Sequence, residues 1–344
     1  MKRIAVVTSS PPMAEGGHMV IARELTRALR DAGHQANVLV TPQNRFGRQA
    51  SAYLATWLTD VTSSEGQPID QVITLRYPSY AVRHPHHVCW LNHTMREYYD
   101  LWPHFSVTLT PRTLLKERAR RAAIRATDRY LLSRNVTKLF VQSRTIQERL
   151  WPSIPSTVLY PPAPQRPYRC DSYGPSFLFV SRLNRLKRAD LLIRALASDE
   201  GAGLHGVIVG EGEERSALER LAFELGVATR VTFAGRVSDD EAIAHYARCR
   251  AVVFPPLQED YGFVTVEAFA SRKAVITCRD SGGPAELVQD EVSGFICEST
   301  PEALARAMRR LADDPALAER MGTAGHETGA RLTWPETVRQ LVVQ

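Results

Sequence analysis

The sequence predicts an α/β protein made of two successive doubly wound domains. Three observations carry this reading. Short β-branched runs alternate with segments of helical spacing along the chain. A proline-rich stretch, from Tyr160-Pro-Pro-Ala-Pro to Gly174-Pro175, interrupts the alternation, which then restarts. The length of 344 residues suits two domains of roughly 150 residues each.

In the first half, Ile4–Thr8, Ala36–Val40, Val72–Leu75, Val88–Leu91 and Leu139–Gln142 read as buried strands. Between the first two, Ile21, Ala22, Leu25, Ala28 and Leu29 recur at helical spacing over His18–Asp31. Gly33 stands where a helix terminates. In the second half, Phe177–Val180, Val207–Val209, Val231–Phe233, Val252–Phe254 and Val275–Thr277 read as strands. Helical segments follow them at Lys187–Ala197, Glu213–Leu225, Ser238–Ala247, Val264–Ser271 and Pro284–Val288, and Ser238 with Glu241 forms a capping-box pattern. Pro301 to Gln344 reads as helical with a restart at Trp334-Pro335. The expected domains are 1–165 and 166–330, with 331–344 a final helix crossing back to the first domain. Ligands of such sheets bind beyond the carboxyl ends of the strands, so the chemistry is expected in post-strand loops lining a central cleft.

At 44% hydrophobic and 23% charged, the composition allows a sizeable core. The apolar run Ile4–Val7 is too short for a signal-peptide core, and no apolar stretch approaches a membrane span. The five cysteines are scattered without a Cys-x-x-Cys, as expected of reduced thiols in a cytoplasmic protein. Residues 1–165 carry 21 Lys/Arg against 11 Asp/Glu, whereas residues 166–344 carry 22 against 26. A basic first half suits an anionic partner. Nucleic acid, acidic membrane and phosphorylated substrate all satisfy that condition.

The most informative segment is Phe254-Pro-Pro-Leu-Gln-Glu-Asp-Tyr-Gly-Phe-Val-Thr-Val-Glu267. It leaves a strand, turns through prolines and enters a helix near Phe263. The backbone amides of Phe263, Val264 and Thr265 are then the free first-turn donors that favour a phosphate. Glu259 is placed to accept from sugar hydroxyls and Glu267 from a ribose diol, since each carboxylate oxygen takes a separate hydroxyl. The plainer alternative is two solvated glutamates flanking a helix start. Upstream, Gly16-Gly17 precede the first helix. Paired glycines there suit either close approach of a phosphate or a turn with positive φ.

Glu259 and Glu267, seven residues between them, with Val180-Ser-Arg-Leu183, Lys187, Val209-Gly-Glu-Gly212, Phe233-Ala-Gly-Arg-Val237, Ser281-Gly-Gly-Pro-Ala-Glu286 and Ser293-Gly294 in chain order, resemble the donor-binding domain of retaining glycosyltransferase family 4, and the first half, with Gly16-Gly17, resembles that family more loosely. The resemblance covers 176–296 and implies a GT-B fold of two Rossmann-like domains. It implies transfer of a hexose-type sugar from a nucleoside-diphosphate sugar to an acceptor hydroxyl with retained configuration, with no metal or other cofactor. Arg182 and Lys187 would neutralise the donor diphosphate, with Gly16, Gly17, Phe263, Val264 and Thr265 around the phosphates. Glu267 would hold the ribose, Arg236 and Val237 would approach the base, and Glu259 would hold the donor sugar. His93, in Trp90-Leu-Asn-His-Thr-Met-Arg96, matches a strand-end histidine that touches the donor sugar in some members; the competing reading is a buried histidine with a local partner. Glu259, His93, Arg182 and Lys187 form the expected catalytic set. Two fixed cations suit a leaving group that gains negative charge. Arg185 and Arg188 lie nearby, and the sequence does not say which of the four cations face the ligand. The family's pattern is departed from at Asp260-Tyr261, beside the sugar site, and at Ser271-Arg272-Lys273.

Other signals are weaker. His84, His86, His87 and Cys89 fit no zinc spacing and suit surface or packing roles. Gly210-Glu-Gly212 starts like a dinucleotide fingerprint, but Arg215 replaces its third glycine, against a nicotinamide-dependent oxidoreductase. No Asp-x-Asp occurs. A nucleic-acid partner is not expected, because no recognisable module accompanies the basic half. Residues 112–138 hold Arg118, Arg121, Arg125 and Arg129 at helical spacing opposite Leu115, Ala119, Ala122, Ala126 and Tyr130. This segment is the candidate for weak peripheral contact with the inner face of an anionic membrane, against the plainer reading of a solvated helix face. The functional alternative to the transferase is a catalytically idle nucleotide-sugar sensor or partner subunit.

Overall fold

Seven of the eight residues of the first strand are buried, so neither face meets water, as in the interior of a parallel sheet covered by helices. The computed structural model describes residues 1–343 other than 12, 14, 15, 44 and 45. The chain divides into two units, Met1–Pro164 with Thr333–Gln344, and Gln165–Leu332.

The first unit runs β1 (Arg3–Ser10), α1 (Gly17–Asp31), β2 (Gln35–Pro42), α2 (Gln49–Trp57), the hairpin β3 (Ser63–Ser64) and β4 (Gln67–Pro68), β5 (Gln71–Arg76), β6 (His87–His93), α3 (Trp102–Ser106), α4 (Pro111–Arg134), β7 (Lys138–Val141), α5 (Arg144–Glu148) and β8 (Thr157–Val158). Its six-stranded parallel sheet has the order β2-β1-β5-β6-β7-β8. The order reverses between β1 and β5. Helix α1 packs Ile21, Ala22, Leu25, Ala28 and Leu29 inward and ends through Gly33 at φ 82°, where His34 donates to Leu29 O.

The second unit runs β9 (Ser176–Val180), α6 (Ala189–Ala197), β10 (His205–Val209), α7 (Arg215–Glu224), β11 (Val231–Gly235), α8 (Asp239–Arg248), β12 (Ala251–Val253), α9 (Phe263–Ala270), β13 (Ala274–Cys278), α10 (Gly283–Leu287), β14 (Gly294–Cys297), α11 (Pro301–Asp313) and α12 (Pro315–Ala330). The order β11-β10-β9-β12-β13-β14 is doubly wound, with its reversal between β9 and β12. Phe177, Phe179, Leu192, Ile208 and Ile276 belong to one buried core. The capping box is present: the Ser238 hydroxyl accepts from Glu241 N and the Glu241 carboxylate accepts from Ser238 N.

Two sequence expectations change at element boundaries. The helical stretch after Pro301 breaks at Asp314, whose carboxylate accepts from Leu317 N and starts α12 at Pro315. The basic segment 112–138 is helical only to Arg134, because Lys138 already belongs to β7. Within α4 the packed stripe is Glu117, Ile124, Asp128, Leu131 and Leu132, while Leu115, Ala119, Ala122, Ala126 and Tyr130 are exposed. Buried hydrogen-bonded acids thus take core positions that a hydrophobicity pattern cannot assign. Asp128 accepts from the hydroxyls of Tyr53, Tyr80 and Tyr99, and Glu117 from Tyr98. The last helix, α13 (Trp334–Leu341), packs with the first unit, where the Trp334 indole donates to Ala163 O at 3.0 Å and meets Trp90 edge-on.

Candidate active site

The second unit's switch point is built by the loops that leave β9 and β12. After β9 the chain passes through Ser181 and the exposed Arg182, then a short 3-10 turn at Arg185–Lys187. After β12 the chain runs through Pro255 and Pro256 to Glu259, and Gly262 opens α9. Lys187 Nζ donates to Glu259 Oε2 at 2.6 Å, with both side chains 18% exposed. The Glu259 backbone is held between Ser281 O, which accepts from its N–H at 2.9 Å, and Gly283 N, which donates to its carbonyl at 2.9 Å. The carboxylate therefore leaves a backbone pinned on both sides.

Gly262 has φ 80° and ψ 78°, a left-handed conformation that turns the chain into α9. A Cβ there would lie 2.9 Å from both Phe254 Cε1 and Pro284 Cγ. Phe263 and Val264 follow at the helix head, partly exposed. The expectation for Thr265 is corrected. Its amide donates to Gly262 O at 3.0 Å, a tight first turn that removes one of the three expected free donors.

Glu267 lies one turn in, with its side chain 13% exposed. Tyr246 donates to Oε2 at 2.9 Å, Tyr168 to Oε1 at 3.3 Å, and the Arg166 guanidinium stands 3.6 Å from Oε1. Burial raises its pKa above the ordinary glutamate value, against the opposing hydrogen bond from Tyr246 and the charge of Arg166. Arg236 is exposed and Val237 partly buried, in the two-residue link between β11 and the α8 cap Ser238. Arg166, Tyr168 and Tyr246 were not singled out from sequence. Their partner Glu267, one turn into α9, lies 21 to 101 positions away in the chain, and no local pattern marks them.

Residues 168–328 match the model of the glycosyl transferases group 1. Within this segment lie Arg182, Lys187, Arg236, Val237, Glu259 and Glu267. The D-inositol 3-phosphate glycosyltransferase of Streptomyces griseus is 34% identical over 169 residues, covering 46% of this chain and 36% of that protein. The human alpha-1,3/1,6-mannosyltransferase ALG2 is 28% identical over 193 residues, covering 51% of this chain and 46% of that protein. The chain thus spans less than half the length of these curated relatives. Among solved structures, a sucrose-phosphate synthase from Thermosynechococcus elongatus aligns with TM-score 0.79 at 19% identity, covering 98% of this chain and 97% of that one. Anabaena HepE in complex with UDP and glucose aligns with TM-score 0.71 at 17% identity, covering 98% of both chains. The fold is GT-B, with two Rossmann-like units.

Outside the group 1 segment, Gly16 and Gly17 precede and open α1 beyond β1. Gly16 has φ 175° and ψ −179°, extended backbone, and its carbonyl accepts from Met19 and Val20. Neither glycine has a φ in the left-handed range, so the positive φ of the alternative reading is not what these two glycines supply. Pro12, Ala14 and Glu15 of that loop lie outside the described residues. His93 ends β6, partly buried, and its carbonyl accepts from Tyr77 N at 3.2 Å.

The histidine run is structural. His84 Nε2 donates to Ile69 O at 2.9 Å, its Nδ1 accepts from His86 N, and the buried His87 Nε2 lies 2.9 Å from Thr74 Oγ1. Burial depresses the His87 pKa to about 4. No cluster of three or more potential metal ligands occurs among the described residues.

Proposed function

We propose that this protein is a retaining glycosyltransferase of family 4, moving a hexose-type sugar from a nucleoside-diphosphate sugar to an acceptor hydroxyl. The observation that carries the reading is the Lys187–Glu259 pair at the switch point of a segment matching the group 1 model, with Glu267 one turn into the following helix. In this reading Arg182 and Lys187 meet the charge that develops on the leaving diphosphate, with no metal needed. Phe263 and Val264 offer the head of α9 to the phosphates. Glu259 accepts from donor-sugar hydroxyls and Glu267 from the ribose, while Arg236 and Val237 flank the base. Gly16, Gly17 and His93 are the first unit's contacts to donor and acceptor in the same reading. The UDP and UDP-glucose bound to Anabaena HepE are consistent with such a donor.

The exposed face of α4 supports weak peripheral contact with an anionic membrane surface, with the chain otherwise cytoplasmic. Of its cations Arg112, Lys116, Arg118, Arg129 and Arg134 are exposed, and its two acids, Glu117 and Asp128, both face the core. Among the described residues no helix is long and apolar enough to cross a membrane.

Thermal unfolding with UDP, GDP, ADP, TDP and NAD⁺, each with Mg²⁺ or with EDTA, tests the donor site. At a hundred times Kd a ligand stabilises the fold by about 2.7 kcal/mol, a rise of a few degrees. The expected result is a rise with one nucleoside diphosphate that survives EDTA and shrinks in Glu267→Ala. A rise with NAD⁺ alone overturns the transferase reading.

A further inference from the structure

Arg188, next in sequence to Lys187, looks at first like one more cation for a diphosphate. Its side chain points elsewhere. Nε donates to Pro255 O at 2.6 Å and Nη2 to Pro256 O at 2.9 Å. Nη1 and Nη2 also grip the Asp280 carboxylate as a fork, at 2.8 and 2.6 Å. Four of its five N–H groups are therefore committed. Asp280 is held in turn by the Ser299 hydroxyl at 2.6 Å. The backbone of Arg188 is left-handed, φ 53° and ψ 43°, a conformation unfavourable for a side chain with Cβ and kept where the surroundings determine it.

The clip joins the segments that carry the site. Arg188 follows Lys187 directly, and Pro255 and Pro256 lead into Glu259. Asp280 precedes Ser281, whose carbonyl accepts from Glu259 N. Two further bonds run the same way: Leu257 N donates to Leu186 O at 2.7 Å, and Gln258 N to Asp280 O at 2.8 Å. A planar guanidinium can meet two carbonyls and a carboxylate together, which a single ammonium cannot.

We infer that Arg188, fixed by Asp280 and Ser299, is the positioning residue that sets the Lys187–Glu259 pair, acting through those two side chains without touching the ligand. The inference rests on the reading of Lys187 and Glu259 as donor ligands. The two neighbouring cations thereby take different roles, Lys187 facing the donor and Arg188 holding the loop from which Glu259 projects. An error of even 1 Å in such a carboxylate is costly to turnover, whereas nucleotide affinity also draws on Glu267 and the helix head.

The test uses full-length wild type, Arg188→Ala, Arg188→Lys and Asp280→Asn, with Arg194→Ala as a charge control on α6. Hydrogen exchange reads the loop directly. The expected result in Arg188→Ala is exchange at least about tenfold faster at the Leu257, Gln258 and Glu259 amides, with β9 and β13 unchanged. Nucleoside diphosphate release from UDP-glucose, GDP-mannose and ADP-glucose reads function. For the donor that wild type uses, kcat is expected to fall at least about tenfold while the Kd of the matching nucleoside diphosphate stays within about threefold. Arg188→Lys is expected to restore little, Asp280→Asn to follow Arg188→Ala, and Arg194→Ala to match wild type. Unchanged exchange at 257–259 overturns the inference, as does a variant losing kcat and affinity in equal proportion. A wild type that binds no nucleoside diphosphate and uses no donor overturns the transferase reading instead, while the exchange result still decides whether Arg188 sets the loop.

Discussion

Lys187 and Glu259 hold each other at 2.6 Å, so removing either leaves a half-buried charge without its partner. Glu259→Gln keeps a hydrogen-bonding group of the same shape and removes the charge. The expected outcome is a fall in kcat of about 10² with nucleotide affinity within a few-fold, read by steady-state kinetics and calorimetry. Glu267→Ala should instead weaken nucleotide affinity at least tenfold, because it removes an acceptor held in place by Tyr246 and Tyr168. Two buried groups of the first unit contribute to acid stability with opposite signs. His87 is depressed to about 4, so its contribution is full above its unfolded value near 6.5 and is lost as pH falls towards 4. Burial raises Asp128 to about 6, above its unfolded 3.8, even with three tyrosine hydroxyls donating to it. Its contribution is full below 3.8 and is lost as pH rises through 6. Between pH 4 and 6 the two slopes oppose each other. Asp128→Asn should therefore add about 1.4 kcal/mol per pH unit of acid sensitivity over that window, measured as the difference from wild type in denaturant unfolding.

The informative element is α9, because its start is set by one residue. Gly262→Ala would demand a left-handed alanine and drive its Cβ against Phe254 and Pro284, both 2.9 Å away. A loss of about 1–3 kcal/mol is expected in unfolding experiments, together with weaker nucleoside diphosphate binding, since the helix head and Glu267 shift with it. Stability lost without any change in binding would separate the helix head from the donor site. Helix α4 shows the reverse relation between pattern and packing. Its periodic arginines were legible, but Arg125 lies over the rings of Tyr99 and Trp151, and Arg121 over Trp102. Those guanidiniums cover aromatic surface while the alanine face meets water, because cation–π contact and buried carboxylates compete with simple hydrophobic patterning.

Across the whole molecule, the chain returns to the first unit after completing the second. Trp334 seats its indole on Ala163 O, and Gln71 binds this tail twice, donating to Leu341 O at 2.6 Å and accepting from Val343 N at 3.0 Å. Trp334→Ala should destabilise the first unit by about 3–5 kcal/mol and leave hydrogen exchange in the second unit unchanged. Loss of protection in both units would contradict that separation. The sequence by itself determined the alternation of strand and helix, because β-branched runs and 3.6-residue spacing are local signals. It likewise showed Glu259, Glu267, Arg182 and Lys187 in order along the second half. The strands β8 and β14 went unseen: β8 has only two residues, and β14 opens at Gly294, in a Ser-Gly pair that reads as a turn. Tertiary structure alone decided that Arg188 turns away to Asp280, that Tyr168 and Tyr246 meet Glu267, and that Asp128 sits beneath three tyrosines. Each of these joins residues 21 to 99 positions apart. The signal for such a contact lies in the mutual satisfaction of buried polar groups, and that is a property of the folded chain rather than of any stretch of it.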